Sequence, residues 1–149
     1  MLKVGITGTT RGLGKALHDH FVNKGCHVVA FNRGSDIVNG AVGCDLFINN
    51  TYGIQTDLLN QLHDRVDKMV VMGSIVTDFP DPEMPDYTQK KIELEERVIE
   101  LKDSNILLLK ISSTAYNNSQ VIINAIEYWL ENPLVNVISF KATEGPNRG

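Results

Sequence analysis

The chain has 149 residues, which suits one domain with one sizeable core and leaves little room for a second. Its 42% hydrophobic and 21% charged residues are typical of a soluble globular protein and exclude a disordered or fibrous one. A net charge of -4 offers no basic field to nucleic acid or anionic lipid. No apolar run reaches the roughly 20 residues that span a bilayer, so we expect neither nucleic acid nor membrane as a partner.

The N-terminus, MLKVGITGTT, is too short and too rich in glycine and threonine for the core of a signal peptide, so we expect a cytoplasmic protein. Cys26 and Cys44 lie outside any CxxC spacing, which favours free thiols in a reducing compartment. The four histidines form no HExxH pattern, and the sequence therefore predicts no metal site.

In chain order, short apolar runs alternate with longer segments of helical periodicity. The short runs predict strands at 2–7, 26–31, 45–49, 68–73, 105–111 and 135–140. The longer segments predict helices at 12–24, 56–66, 86–102 and 118–131, the third capped by Asp86. The strands are apolar throughout, which is typical of a parallel sheet with helices on both faces. The sequence thus predicts one three-layer α/β/α domain over 1–149, a doubly wound parallel sheet with a loose tail at 141–149.

The first predicted strand leads directly into a glycine-rich loop, TGTTRGLG, where a helix begins. Such a loop needs glycine where the backbone turns tightly, approaches a pyrophosphate or packs helix against strand. The N-terminus of the helix then offers unpaired N–H groups to the phosphates. A structural turn is the alternative, but strand, loop and helix in this order favour a Rossmann-like dinucleotide site. The predicted cofactor contacts here are Gly8, Thr10, Arg11, Gly12, Leu13 and Gly14.

The end of the second predicted strand indicates which nicotinamide cofactor is bound. NAD sites usually place an acidic residue there for the ribose 2′-hydroxyl, whereas this chain has Asn32, Arg33 and Ser35. Two guanidinium groups, those of Arg33 and Arg11, suit a 2′-phosphate and favour NADP(H). The alternative is that both arginines are solvated surface residues. Asp36 and Ile37 are predicted to contact the adenine.

Three motifs in register resemble the short-chain dehydrogenase/reductase family. The glycine loop meets the family's TGxxxGxG pattern, Tyr87 and Lys91 meet its YxxxK pattern, and Ser74 lies 13 residues before the tyrosine. The resemblance covers 2–140 and implies an NADP(H)-dependent oxidoreductase with Ser74, Tyr87 and Lys91 as catalytic residues. It also implies that Lys91 holds the nicotinamide ribose.

The residue chemistry agrees with these roles. Tyr87, Lys91 and Leu94 share one helix face directed at the sheet, although a snorkelling surface lysine is the alternative. A phenol with an ordinary pKa near 10 is a poor base, but an ammonium about 4 Å away favours the phenolate by about 4 kcal/mol. The tyrosine then exchanges a proton with the substrate oxygen while hydride passes to or from the nicotinamide. Ser74 holds that oxygen, unless it is an ordinary turn serine.

The chain departs from the family pattern before the serine. About a dozen residues join the second predicted strand to DLFINN, so a helix and most of a strand are expected to be absent. The family's NNAG becomes NNTYG, with Asn49 and Asn50 still predicted to contact the cofactor. No asparagine matches the family's fourth active-site residue in register, because Asn60 lies too near to Ser74.

A second group of departures concerns the substrate region. The family's Pro-Gly after the fifth predicted strand is missing, and there we expect Ile111 to contact the cofactor and Thr114 its carboxamide. The substrate loop shrinks to about 113–118. The proline-rich loop after Ser74 is expected to line the substrate pocket with Val76, Phe79 and Met84, or else to serve as a stiff connection.

With so short a substrate loop, the pocket is expected to be open or closed by a neighbouring subunit. The resemblance implies association through helices that flank the active site. Ile92 and Ile99, seven residues apart beside the catalytic face, would supply the seam of a homodimer or homotetramer.

The sequence therefore predicts an NADP(H)-dependent oxidoreductase that acts on a small carbonyl or alcohol. The alternative is a catalytically weak or inactive NADP(H)-binding redox sensor, which the deletions favour but the retained serine does not. An epimerase or dehydratase of nucleotide-linked sugars is a third possibility, which the small expected volume of the pocket argues against.

Overall fold

The computed structural model describes residues 1–32 and 35–141, which build one six-stranded sheet. Its strands pair in parallel in the order β2-β1-β3-β4-β5-β6. They are β1 (Lys3–Thr7), β2 (His27–Phe31), β3 (Leu46–Asn49), β4 (Lys68–Ser74), β5 (Ile106–Ile111) and β6 (Val137–Ser139). Each lies within one of the predicted apolar runs or extends it by a single residue, as β4 does at Ser74.

Helices cover both faces of the sheet. They are α1 (Gly12–Asn23), α2 (Ile37–Ala41), α3 (Gln55–Leu62), α4 (Pro85–Leu101), α5 (Ser113–Tyr116) and α6 (Ser119–Glu131), with a 3₁₀ turn at Ile75–Thr77. One core buries Phe21 of α1 and Trp129 of α6, and a second core buries Leu94 of α4 on the opposite face. Val70 belongs to the first core and Val71 to the second, which explains why the central strands are apolar throughout. The predicted three-layer α/β/α fold is confirmed.

The connection between β2 and β3 is shorter than the matching connection of the usual Rossmann sheet, but it still contains a helix. The Asp36 side chain accepts a hydrogen bond from the backbone N–H of Asn39 and so caps the five-residue α2, which the sequence did not predict. Among the described residues no strand lies between β2 and β3, so β2 is the edge of the sheet. In the usual 3-2-1-4-5-6 order, a further strand lies outside the equivalent of β2. That strand is missing from the described part of this chain.

The start of α4 corrects one detail of the sequence analysis. Asp86 does not cap this helix, because Met84 holds the N-cap position and Pro85 opens the first turn. Proline is favoured there, since its ring fixes a helical φ and the first turn needs no N–H donor.

Within the described ranges, no helix combines the length and apolar character needed to cross a membrane. No three or more His, Cys, Asp or Glu side chains cluster there as potential metal ligands, and Cys26 and Cys44 are free. The predicted loose tail lies outside the described residues from 142 onwards.

The order of the strands marks where a ligand is expected. β2 lies on one side of β1 and β3 on the other, so the chain reverses its direction across the sheet at this point. In open parallel sheets, ligands bind outside the carboxyl ends of the strands at such a reversal. Here those ends are Thr7 of β1 and Asn49 of β3.

Candidate functional site

A large open cleft lies at the carboxyl ends of β1, β3, β4 and β5. Its volume is about 1480 Å³, which exceeds the roughly 300–1,000 Å³ typical of a pocket for one drug-sized molecule. The glycine loop lines one part of the cleft, and Ser74, Tyr87 and Lys91 line another. The cleft therefore has room for a dinucleotide together with a small second ligand, a larger volume than the sequence led us to expect.

The glycine loop has a conformation that only glycine adopts without strain. Gly8 and Gly12 have φ values of 69° and 59°, in the left-handed region. A methyl group on Gly14 would collide with the carbonyl oxygen of Gly8, so the first turn of α1 packs directly on the loop. Arg11 makes no side-chain cap and no acidic residue lies in the first turn, so neither an N-cap side chain nor a first-turn carboxylate binds the amides at the positive end of α1.

The predicted contacts from this loop are only partly at the cleft surface. Those that line the cleft are Gly8, Thr10, Arg11, Leu13 and Gly14. Gly12 does not line it, because the Tyr116 phenol covers its α-carbon: a β-carbon there would come 3.1 Å from the hydroxyl.

At the end of β2, Asn32 joins the glycine loop to the next turn. Its Oδ1 accepts hydrogen bonds from the N–H and hydroxyl of Thr9 at 3.1 and 3.2 Å, and its N–H donates to Ser35 Oγ at 3.1 Å. Asn32, Ser35 and Ile37 line the cleft. Asp36 does not, because both of its carboxylate oxygens are bound to Asn39. Arg33, the other predicted partner of a 2′-phosphate, lies outside the described residues.

The two asparagines after β3 have different surroundings. Asn49 is fully buried, donates to the backbone oxygen of Gln55 at 2.9 Å and does not line the cleft. Asn50 lines the cleft, and its Nδ2 and N–H donate to the backbone oxygen and hydroxyl of Thr7. Of the predicted pair, only Asn50 is therefore placed to contact a ligand in the cleft.

Ser74 ends β4 and begins the 3₁₀ turn. Its Oγ accepts a hydrogen bond from Val76 N–H at 3.1 Å, which leaves the hydroxyl proton available as a donor. Thr77 donates to Glu95 Oε1 of α4 at 2.9 Å and also lies 3.2 Å from the Ser74 carbonyl oxygen. These contacts attach the turn that carries Ser74 to the helix that carries Tyr87 and Lys91.

Lys91 lies one helical turn after Tyr87 and is 6% exposed. Its Nζ donates to Gln55 Oε1 at 2.7 Å and to the Met72 carbonyl oxygen at 2.8 Å. Nζ is 5.7 Å from the centroid of the Tyr87 ring. Burial lowers the pKa of Lys91 to about 8, because water solvates the ammonium better than the interior does.

Residues in or beside the cleft that the sequence did not predict include Tyr52, Gln55 and Tyr116. Tyr52 stacks on Tyr87, Gln55 binds Lys91, and Tyr116 covers the start of α1. Tyr52 lies within the NNTYG departure and Gln55 follows it by two residues, and this departure was the signal available for them. Tyr116 is brought to the cleft by α5, whose N-cap Ser112 accepts from Ala115 N–H.

The predicted substrate contacts Val76, Phe79 and Met84 all line the cleft, as does Ile111. Phe79 and Met84 are 63% and 48% exposed, which leaves apolar surface at this end for a ligand. Thr114 is exposed and does not line the cleft, since α5 directs Ser113, Tyr116 and Asn117 towards it instead.

No protein-family model matches the chain, and no curated protein matches its sequence. Solved structures do match. A short-chain dehydrogenase/reductase from Serratia marcescens superposes with a TM-score of 0.66 and 14% identity over 93% of this chain and 95% of its own. A 4-hydroxyisoleucine dehydrogenase complexed with NADH gives 0.70 and 14% over 100% of both chains. A UDP-N-acetylglucosamine 4-epimerase from Bacillus cereus gives 0.67 and 17% over 99% and 82%.

At such low identity these likenesses show the fold. The chain has the Rossmann-like fold of the short-chain dehydrogenase/reductases, as the motifs led us to expect. Dehydrogenases and reductases recur among the neighbours, so the fold is one that such oxidoreductases share.

Proposed function

We propose that this chain is an NADP(H)-dependent oxidoreductase that transfers hydride between the nicotinamide and a small carbonyl or alcohol substrate. The observation that carries the proposal is the presence of Ser74, Tyr87 and Lys91 in the same cleft as the glycine loop. A hydroxyl donor, a phenol and a buried ammonium then lie within reach of one bound dinucleotide.

The glycine loop fits the diphosphate of such a cofactor. Gly14 has no room for a side chain, and the uncapped N-terminus of α1 leaves backbone N–H groups for phosphate oxygens. Gly8, Thr10 and Leu13 would lie along the diphosphate, with Asn50 and Ile111 nearer to the nicotinamide. When bound, the cofactor supplies or accepts the hydride.

Tyr87 would exchange a proton with the substrate oxygen. The Lys91 ammonium has two neutral acceptors and, among the described residues, no carboxylate in an ion pair with it. Its Nζ lies 5.7 Å from the centre of the Tyr87 ring, so its positive charge attracts negative charge that develops on the phenol oxygen. Lys91 would thereby help Tyr87 to act as a general base, and the same pair acts in reverse as an acid.

Ser74 would orient the substrate oxygen. Its oxygen accepts one hydrogen bond, from Val76, and its proton can be donated to a carbonyl or alkoxide oxygen. The attachment of the 3₁₀ turn to α4 through Thr77 and Glu95 keeps this donor at a fixed distance from Tyr87.

The preference for NADP(H) rests on charge. Arg11 is exposed and lines the cleft, and Asp36, the nearest acidic residue in sequence to the end of β2, does not line it. A 2′-phosphate beside Arg11 would therefore meet a cation at the surface of the cleft. The role of Arg33 stays a prediction from the sequence.

A second candidate is an NADP(H)-binding redox sensor without turnover. The stack of Tyr52 on Tyr87 favours it, because one face of the catalytic ring is already covered. The free hydroxyl donor of Ser74 favours the enzyme, since a sensor has no need of it.

The test is a search for turnover. The protein is mixed with NADPH and a panel of aldehydes, ketones and quinones, with a nucleotide-linked sugar included because the cleft volume admits one, and loss of reduced-nicotinamide absorbance is followed. We expect turnover that disappears in Tyr87→Phe while NADPH binding persists. Binding without turnover across the panel would support the sensor, and no NADPH binding would overturn both.

We also propose a homodimer or homotetramer assembled through α4. Ile99 is 61% exposed on this helix and Ile92, two turns earlier, is half-buried. Light scattering at micromolar concentration is the measurement, and Ile99→Lys, which places a charge in the seam, is expected to yield monomers. A wild-type monomer would contradict the proposal.

A further inference from the structure

The Lys91 ammonium is held by an amide from another helix. Gln55, the first residue of α3, is 4% exposed and accepts a hydrogen bond from Lys91 Nζ through Oε1 at 2.7 Å. The second acceptor, the Met72 carbonyl oxygen at 2.8 Å, belongs to β4. Two of the three ammonium protons are therefore engaged away from Tyr87, on uncharged oxygens.

The orientation of the Gln55 amide follows from its other bonds. Its Nε2 donates to the backbone oxygens of Asn49 and Met72, both at 2.9 Å. A flipped amide would set an NH₂ group against the ammonium and an oxygen against two carbonyl oxygens. Only one orientation of the amide satisfies all three partners, so the oxygen that meets Lys91 is fixed by β3 and β4.

We propose that Gln55 is a positioning residue, which holds the Lys91 ammonium beside Tyr87 and, being neutral, leaves its positive charge free to act on the phenol. The proposal rests on the proposed function for the role of Lys91 in the reaction, but the contact itself is independent of it.

Neutrality at position 55 matters because the ammonium has little other compensation. The other titratable groups that line the cleft are Arg11, Tyr52, Asp81, Tyr87 and Tyr116, and those around a small neighbouring pocket are Asp57, Lys90 and Glu93. None of these carboxylates is paired with Lys91 among the described contacts, and burial is the cause of its lowered pKa. A carboxylate at position 55 would cancel the charge at a contact distance, whereas an apolar residue would leave the ammonium without one of its two acceptors.

The titration of Lys91 tests this role without any need for turnover. The whole protein is labelled with carbon-13 at the lysine ε-carbons, and the Lys91 signal is identified by its loss in Lys91→Arg. In the wild type we expect a midpoint near pH 8. Gln55→Glu is expected to raise the midpoint by about one pH unit or more, and Gln55→Met to lower it.

The matched control is Gln61→Glu, which adds the same charge to the same helix at an exposed position. It is expected to leave the Lys91 midpoint where it is in the wild type. Equal midpoints in folded Gln55→Glu and Gln61→Glu, with folding checked by thermal melting, would overturn the proposal.

A measurement on the wild type decides the matter if the Gln55 variants fail to fold. The side-chain amide signals of Gln55, labelled with nitrogen-15, are expected to shift with the same pH midpoint as Lys91, because they share a hydrogen bond. A flat response of the Gln55 amide through the Lys91 titration would contradict the contact.

If turnover is found, the pH dependence of kcat shows whether Gln55 positions the Lys91 ammonium or only contributes to packing. Gln55→Glu is expected to lower kcat at pH 7 by about tenfold or more and to recover at higher pH, because the compensated ammonium no longer favours the ionised phenol. A merely structural loss would lower activity equally at every pH. If no substrate turns over but the titrations behave as described, the proposed function fails and the role of Gln55 towards Lys91 stands.

Discussion

The ring of Tyr52 stacks on the ring of Tyr87, with centroids 5.3 Å apart and planes inclined by 29°. Tyr87 belongs to α4, whereas Tyr52 lies in the turn between β3 and α3, so the stack joins two elements at the mouth of the cleft. The stack restricts rotation of the Tyr87 ring. Gln55 of the same segment binds Lys91, so residues 52–55 support both members of the proposed reacting pair.

Removal of the stack tests its contribution. An aromatic pair contributes about 0.5–1.5 kcal/mol beyond the area it buries, which corresponds to roughly a 2- to 12-fold change in a rate constant. We expect Tyr52→Ala to lower kcat/KM for the carbonyl substrate within this range and to reduce the unfolding free energy by about 1 kcal/mol. Tyr128→Ala, on an exposed tyrosine of α6 away from the cleft, is the control and should leave kcat/KM unchanged.

A side chain at Gly14 should abolish the phosphate site. The β-carbon of Gly14→Ala would collide with the Gly8 carbonyl oxygen, which is backbone and cannot rotate away, so the loop must move off α1. We expect NADPH affinity, measured by titration calorimetry, to fall roughly 5- to 150-fold, since overpacking of this kind costs roughly 1–3 kcal/mol.

Gly25→Ala provides the comparison for this variant. Gly25 has a φ of 88° but open space around it, so alanine there adds only backbone strain of roughly 1–2 kcal/mol. Stability should fall while NADPH affinity is retained. Equal loss of NADPH affinity in the two variants would contradict the assignment of the loop.

The buried lysine should make stability depend on pH in the alkaline range. Burial lowers the pKa of Lys91 from 10.5 to about 8 in the folded protein. Between these values the unfolded chain binds a proton that the folded chain has largely released, so the unfolding free energy rises with pH across this window. The full difference is about 3 kcal/mol, present as a destabilisation at neutral pH and relieved as the pH approaches 10.5.

Urea unfolding from about pH 7 to about pH 10 measures this effect. Lys91→Met lacks the titrating group, so the wild type should gain stability relative to this variant as the pH rises. Lys90→Met, at the exposed neighbouring lysine, should follow the wild type. Parallel pH profiles for the wild type and Lys91→Met would show that the lysine is not buried in solution.

The Arg11 side chain should discriminate between the two nicotinamide cofactors. A charge-assisted hydrogen bond contributes about 1.5–3 kcal/mol, so loss of one contact to a 2′-phosphate corresponds to roughly 10- to 100-fold. We expect Arg11→Ala to weaken NADPH binding to this extent and to leave NADH binding unchanged. Arg65→Ala, at an exposed arginine outside the cleft, is the control. Equal affinities of the wild type for NADPH and NADH would refute the preference.

Features that depend on residues close together in the sequence could be predicted from the sequence. The unbroken apolar strands predict burial on both faces, and the structure confirms it with two cores on either side of one parallel sheet. The four-residue spacing of Tyr87 and Lys91 places both on one side of α4 because a helix repeats every 3.6 residues. The loop needs glycine at positions 8 and 12 because both residues have positive φ angles, which other residue types rarely adopt.

Only the tertiary structure decided which distant side chains meet. Gln55 and Lys91 are 36 residues apart, and their contact depends on how the ends of β3, β4 and α4 are arranged around one buried ammonium. The same packing turns Asn49 inwards and Asn50 towards the cleft, although the two are adjacent in the sequence. No periodicity encodes such choices, because a buried polar group must find its partner in whichever element the fold brings beside it.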